Sequence, residues 1–125
     1  MYHILCVTQY MTHTNEAHAV FENLRLELRR GCLTLAVLAQ LREEHYGYTL
    51  RRALFDRGLD IDEGTLYPLL RRLEMQGLLQ SQWREENRRK KRFYRLTVTG
   101  NAVLADLIEE LQRMNASLDR ITQEA

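Results

Sequence analysis

The sequence predicts a mostly α-helical protein with one small β-hairpin, and three observations carry that expectation. Apolar residues recur at three- and four-residue steps from Phe21 to Glu44 and again from Thr99 to Glu124, the period of an amphipathic helix. One proline and six glycines are all that interrupt 125 residues. A single pair of short alternating segments, Leu78 to Arg84 and Arg92 to Thr97, carries the strand signal.

The bulk properties narrow the class. The length suits one domain better than two. With 45% hydrophobic and 28% charged residues the chain can bury a core, so disorder is not the expectation. The net charge is only +1, so any anion-binding surface must arise from local clustering. No apolar run is long enough to span a bilayer, and residues 1–10 lack the basic start and long apolar core of a signal peptide. Cys6 and Cys32 are far apart and have no metal-ligand spacing, as suits a reducing compartment. His3, His13 and His18 fit no standard metal motif. A cytoplasmic protein without metal or cofactor is expected, with no membrane partner.

Along the chain, residues 1–20 are weakly patterned and read as an N-terminal extension, with Thr12-His13-Thr14-Asn15 as a loop or cap and Met11 as a second candidate start. A first helix covers Phe21 to Glu44, with Leu24, Leu28, Cys32, Leu35 and Leu38 as its stripe and Gly31 weakening it without ending it. His45-Tyr46-Gly47 breaks the pattern. A short helix follows, with Leu50, Ala53 and Leu54 on one face and Gly58 as its stop. Leu59-Asp60-Ile61 is an extended link, and Asp62 is placed to cap a third helix by accepting a backbone N–H.

That third helix runs from about Glu63 to Gln76 and stops at Gly77. Leu66, Leu69, Leu70 and Leu73 form its apolar stripe, while Gly64, Tyr67, Pro68 and Arg71 lie opposite, flanked by Thr65 and Arg72. Pro68 is read as sitting in the first turn, where a missing N–H costs little. In the hairpin, Trp83 is expected to anchor the strands in the core, and residues 85–91 form a charged connection. The last helix, capped by Thr97 or Thr99, carries Leu104, Leu107, Leu111, Met114, Leu118 and Ile121 at spacings of 3, 4, 3, 4 and 3, a heptad seam.

Helix, short helix, short helix and hairpin is the order of a winged helix-turn-helix, here in residues 21–98 and followed by a long helix in residues 99–125. A recognition helix needs an apolar face to hold it and an outer face that can enter the major groove. Thr65, Tyr67, Pro68, Arg71 and Arg72 meet that need, since arginine can donate two hydrogen bonds to a guanine edge. Residues 84–95 hold seven cations and two anions, a net +5 in a chain of net +1. Phosphate is the natural counterpart of such a cluster, so Arg88, Arg89, Lys90, Lys91 and Arg92 are expected to grip the DNA backbone. Tyr46 and Tyr48 flank Gly47 and either lie near phosphates, Tyr48 being the backbone candidate, or seal the core. The bare seam of the last helix calls for a second copy, and two-fold symmetry would set two recognition helices about one DNA turn apart.

Leu28-Arg29-Arg30-Gly31, then Tyr46-Gly47-Tyr48, resembles the opening of the PadR family of transcriptional regulators. Gly64-Thr65-Leu66-Tyr67-Pro68-Leu69-Leu70-Arg71-Arg72-Leu73-Glu74 followed by Gly77-Leu78-Leu79 resembles its recognition helix. Trp83, and Tyr94-Arg95-Leu96-Thr97 with Gly100, resemble its wing and the start of its last helix. The likeness covers about residues 28 to 121. It implies a homodimeric repressor of the short subgroup acting on double-stranded promoter DNA and often relieved by a small-molecule effector, which would sit between the final and first helices. Two departures stand out. Asn87 is the only turn former where the family's wing tip often has glycine or proline, so a longer, disordered tip is expected. Leu111 stands, counted from Gly100, where some multidrug-binding relatives carry a tryptophan, so stacking of planar drugs there is not expected.

Two other classes compete with this one. An enzyme needs a nucleophile, base or metal in a cleft; no Ser/His/Asp or Cys/His pairing is present, and Glu43, Glu44, Glu109 and Glu110 fall on solvent faces. A winged-helix protein–protein adaptor that has lost specific DNA binding is the closer rival. It predicts weak affinity that is flat across DNA sequences.

Overall fold

The computed structural model describes residues 2–123, with side chains from residue 15 onward. The elements follow in the order α1 (Tyr2–Gln40), β1 (His45–Tyr46), α2 (Gly47–Asp56), α3 (Glu63–Met75), β2 (Leu79–Glu86), β3 (Arg89–Leu96) and α4 (Val98–Gln123). Two compact units result, Met1–Leu33 and Thr34–Ala125.

The first unit holds the N-terminal part of α1. The backbone is helical throughout, so the loop expected at Thr12–Asn15 is absent and the helix begins well before Phe21. The few polar caps in this stretch are not breakers, and nothing in residues 2–20 forbids helical φ and ψ. Val20, Phe21, Leu24 and Leu28 are all more than half exposed, and Cys32 is a free, exposed thiol, so the stripe read from the sequence is not a core face there. His3, Cys6 and His13 lie outside the residues whose side chains are described, as does Glu124, the expected end of the last helix.

The second unit contains the core. Val37, Leu38 and Leu41 from the end of α1, Leu50 and Leu54 from α2, and the α3 leucines 66, 69, 70 and 73 are each 6% exposed or less. Arg51 of α2 donates to the Ile61 carbonyl (3.1 Å) and pairs with Glu63 (3.1 Å), tying α2 to the start of α3. Both short helices end alike. After α2 the N–H groups of Gly58 and Leu59 reach back to Phe55 and Leu54, and after α3 those of Gly77 and Leu78 reach back to Glu74 and Leu73. Each is a Schellman turn, and Gly58 (φ 90°) and Gly77 (φ 80°) supply the left-handed residue it requires.

The sheet has three strands in the order β1-β3-β2, all antiparallel. The third strand, His45–Tyr46, was not expected; two residues are too few to show alternation. The charged connection expected at residues 85–91 is also corrected. The ladder continues to Glu86↔Arg89, leaving only Asn87 and Arg88 in the turn. Both have positive φ (54° and 64°), the type I′ geometry that suits the twist of a two-residue hairpin. The wing is therefore an ordered ribbon, and the charges on its strands did not interrupt it.

At the sheet's base, Leu96 N–H bonds to the Leu41 carbonyl and Thr97 N–H to that of Leu78. The Thr97 hydroxyl donates to the Gly77 carbonyl (2.6 Å) and accepts the Gly100 N–H (2.9 Å), so Thr97, not Thr99, caps α4. Gly100 packs so tightly on Leu78 that an added Cβ would stand 2.9 Å from its carbonyl carbon. No helix is long and apolar enough to cross a membrane among the described residues.

Gly100→Ala must therefore shift backbone against backbone, a destabilisation of about 1–3 kcal/mol. Gly31→Ala, where a Cβ meets nothing within 4 Å, should gain about 0.5–1 kcal/mol as a helix-interior glycine is replaced. Thermal denaturation of the two variants checks the opposite signs.

Candidate nucleic-acid interface

The outer face of α3 is set by its leucine stripe. With Leu66, Leu69, Leu70 and Leu73 buried, Thr65, Tyr67, Pro68, Arg71 and Arg72 are all on the exposed side. At the helix start Asp62 is the N-cap, but its carboxylate takes the Thr65 hydroxyl (2.7 Å) rather than a backbone N–H in hydrogen-bond geometry. That hydroxyl bond is the main reason the Asp62 carboxyl is held below the usual carboxylate range. With its proton given to Asp62, the exposed Thr65 hydroxyl keeps only acceptor capacity. Pro68 lies in the second turn, not the first, since α3 begins at Glu63. It removes the N–H that would meet the Gly64 carbonyl, so that carbonyl loses its ordinary helical donor. Arg71 and Arg72 form no ion pair among the described residues.

Tyr67 is only about one-third exposed. Its ring tip lies over Gly47, where an added Cβ would come within 2.8 Å of the ring's Cζ. Gly47 therefore exists in this position to let a helix N-terminus and a tyrosine approach. Beside it His45 Nε2 accepts from the Gln40 amide (3.2 Å), which leaves Nδ1–H to donate to the Thr49 hydroxyl (3.0 Å), and burial holds its imidazole below the ordinary value. Tyr48, 61% exposed, stacks on Tyr46 with ring centroids 6.4 Å apart.

The wing cations separate into two groups. Lys91 sits over the Tyr46 ring (4.4 Å) and near Glu86 (3.5 Å), and Arg92 is bound by Glu74 (2.8 Å) and Ser81 (2.9 Å). Arg84 pairs with Glu44 and lies over the Phe93 ring at 3.8 Å. Arg88, Arg89 and Lys90 are exposed and form no ion pair among the described residues. So of the five cations expected to meet phosphate, three are unengaged, while Lys91 and Arg92 already have partners within the domain.

Trp83 corrects another expectation. It shares the face of Leu79, which is 2% exposed, yet is itself 61% exposed. The core covers that face only at the base of the ribbon, where Leu79 and Tyr94 are buried, while Phe93 is buried on the opposite face. Trp83 instead lines a cleft of about 410 Å³ between α3 and the wing, together with Tyr67 and Arg71, Lys90 and Arg92, and Tyr46 and Gly47. Two features were illegible from sequence: the cleft, which joins residues over 40 positions apart, and the exposure of Trp83, whose alternation signal is that of a buried residue.

On α4, Leu104 is 2% exposed and belongs to the domain's own core, so it is not part of a free seam. Leu107 and Leu111 are half-buried, and Met114 (53%), Leu118 (49%) and Ile121 (65%) are open.

This geometry is a winged helix-turn-helix, the architecture of DNA-binding regulators. Residues 34–106 match the Transcriptional regulator PadR-like family, so the chain belongs to that family. It is 38% identical over 91 residues to the transcriptional regulator Rv3488 of Mycobacterium tuberculosis, covering 70% of this chain and 85% of that protein. Its fold is similar to the crystal structure of a PadR family transcriptional regulator from Eggerthella lenta, with a TM-score of 0.79, 40% identity, and coverage of 85% of this chain and 95% of that one. A transcriptional regulator from Clostridium thermocellum is similar over 75% of this chain and 96% of its own, with a TM-score of 0.68 and 28% identity. The chain is thus a transcriptional regulator that binds DNA, and its family is not a class of enzymes.

Gly47→Ala should push the Tyr67 ring off its seat at a cost of about 0.5–1.5 kcal/mol. The same change in a Tyr67→Ala background should cost nearly nothing. Thermal denaturation of the two single variants and the double variant measures this coupling.

Proposed function

We propose that the protein is a homodimeric, sequence-specific repressor that sets its two α3 helices in successive major grooves of promoter DNA. One observation carries the reading. Tyr67 and Arg71 from the exposed side of α3 and Lys90 from the wing line one cleft. Arg71 and Arg72, which form no ion pair among the described residues, are available to base edges and neighbouring phosphates. Thr65, Tyr67 and Pro68 contribute an acceptor, a half-seated ring and a Gly64 carbonyl without its helical donor to the groove floor. Arg88, Arg89 and Lys90 meet the flanking backbone, and Tyr48 offers a hydroxyl to phosphate from the start of α2. Lys91 and Arg92 add their charge to the same field from behind.

A second copy covers Leu107, Leu111, Met114, Leu118 and Ile121, which are too extensive an apolar row to leave in water. Two-fold pairing then spaces the heads about one turn, roughly 34 Å, apart. Release by a small-molecule effector rests on the family resemblance, and the cytoplasm is where such a protein meets its DNA.

Fluorescence anisotropy against DNA from upstream of its own gene and a scrambled duplex, at two salt concentrations, tests the reading. The upstream duplex should bind far more tightly, and Arg71→Ala should weaken that binding by about 10- to 100-fold, as loss of a bidentate base contact does. Equal, weak binding to both duplexes that ignores Arg71→Ala would place the adaptor reading first.

A further inference from the structure

The strongest unexplained feature is a closed ring of hydrogen bonds where the wing leaves the domain. Arg92 donates from Nη2 to Glu74 Oε1 (2.8 Å) and from Nε to Ser81 Oγ (2.9 Å), and the Ser81 hydroxyl donates to Glu74 Oε2 (2.6 Å). Glu74 belongs to the last turn of α3, Ser81 to β2 and Arg92 to β3. The ring therefore ties the reading helix to both strands of the wing at one level. Each carboxylate oxygen has one donor, and the guanidinium presents its Nε–H and Nη2–H side by side in a fixed fork, one to Ser81 and one to Glu74. Both ionised side chains are about one-third exposed or less (34% and 26%), so solvent screens the pair only in part. Arg92 also faces the rings of Trp83 (5.6 Å) and Tyr94 (5.4 Å), which limits where the guanidinium can go.

We propose that Glu74, Ser81 and Arg92 are positioning residues: they set the angle of the wing to α3, and Arg92 serves DNA binding through that angle rather than as a phosphate ligand. This rests on the DNA-binding reading above. Its physical basis is leverage. Arg88 lies four residues beyond Arg92, about 13 Å along the strand, so a 15° swing at the ring moves the tip by about 3 Å. Hydrogen bonds to phosphate do not survive a displacement of that size. Beyond Leu79, Phe93 and Tyr94 the ribbon has no buried core; Arg84 with Glu44 and Lys91 with Tyr46 hold one of its faces, and the Glu74–Ser81–Arg92 ring ties the other to α3.

Simple electrostatics and positioning predict opposite signs for one variant. Glu74→Gln removes a negative charge from beside the DNA surface. If Arg92 is a phosphate ligand held back by Glu74, this variant binds the upstream duplex more tightly. If Glu74 positions the wing, it binds about 5- to 10-fold more weakly. Arg92→Lys keeps the charge but loses the fork, so the positioning role predicts a similar loss, and a phosphate role predicts near wild-type affinity. The coupling to the tip is decisive. Lys90→Gln should weaken the wild type and lower its salt slope by about one, but do neither in the Glu74→Gln background, where the wing no longer reaches its phosphates. Trp83, the single tryptophan, reads wing motion without DNA: its fluorescence anisotropy decay should show faster local motion in Glu74→Gln with an unchanged melting transition. Tighter DNA binding by Glu74→Gln, or full additivity with Lys90→Gln, overturns the proposal. If Trp83 loosens while the wild type itself fails to prefer the upstream duplex, the ring's mechanical role stands and the DNA reading is what fails.

Discussion

The burial of one leucine stripe on α3 is the constraint on which the interface depends. Leu66, Leu69, Leu70 and Leu73 are buried in the core of the domain, at roughly 1.5–3 kcal/mol of gross transfer energy each. A helix has only one opposite side, so fixing that stripe fixes the direction in which Thr65, Tyr67, Pro68, Arg71 and Arg72 face. The ends of the helix are set as firmly. Asp62 and Thr65 define its start, and the Gly77 turn delivers the chain directly into β2. The outer face is left with groups that the domain does not use: two arginines that form no ion pair among the described residues and a carbonyl that Pro68 strips of its donor.

The wing extends this logic by polar means. Beyond Leu79, Phe93 and Tyr94 it has no core, and it is steadied by charge and ring contacts on both faces. Arg84 to Glu44 and Phe93, and Lys91 to Tyr46, hold one side. The Glu74–Ser81–Arg92 ring holds the other. Half of a basic cluster is thereby spent on placing the other half. Glu44 and Glu74 engage Arg84 and Arg92, while Arg88, Arg89 and Lys90 form no ion pair among the described residues, so a chain of net charge +1 still presents a basic tip.

Much of this was legible in the sequence. The α3 boundaries, its two faces, the glycine stops and the heptad seam all follow from periodicity and backbone preference, which act within one element. What was not legible depends on distant residues. Trp83 alternates like a core residue, but whether a helix covers it depends on where the ribbon leaves the domain. Leu104 is one more leucine in the α4 seam until Gly100 seats that helix on Leu78, which draws its first turns into the core. His45–Tyr46 is a strand only because β3 is there to pair with it. The helical reach of α1 into residues 2–20 is not legible because a helix can form without an apolar stripe, and periodicity reports only the stripe. Asn87-Arg88 lacks the glycine usual in its turn, so the sequence suggested a loose tip where the ladder is in fact complete.

The central claim is that α3 reads the major groove with its exposed face while the wing holds the adjacent backbone. Dimethyl sulfate protection of the bound upstream DNA measures this directly, because it reports guanine N7 on the major-groove edge. The account predicts two protected patches centred about one helical turn apart, both lost in Arg71→Ala at protein concentrations that still saturate the DNA. Bound DNA with no major-groove protection, or protection unaffected by Arg71→Ala, would contradict it.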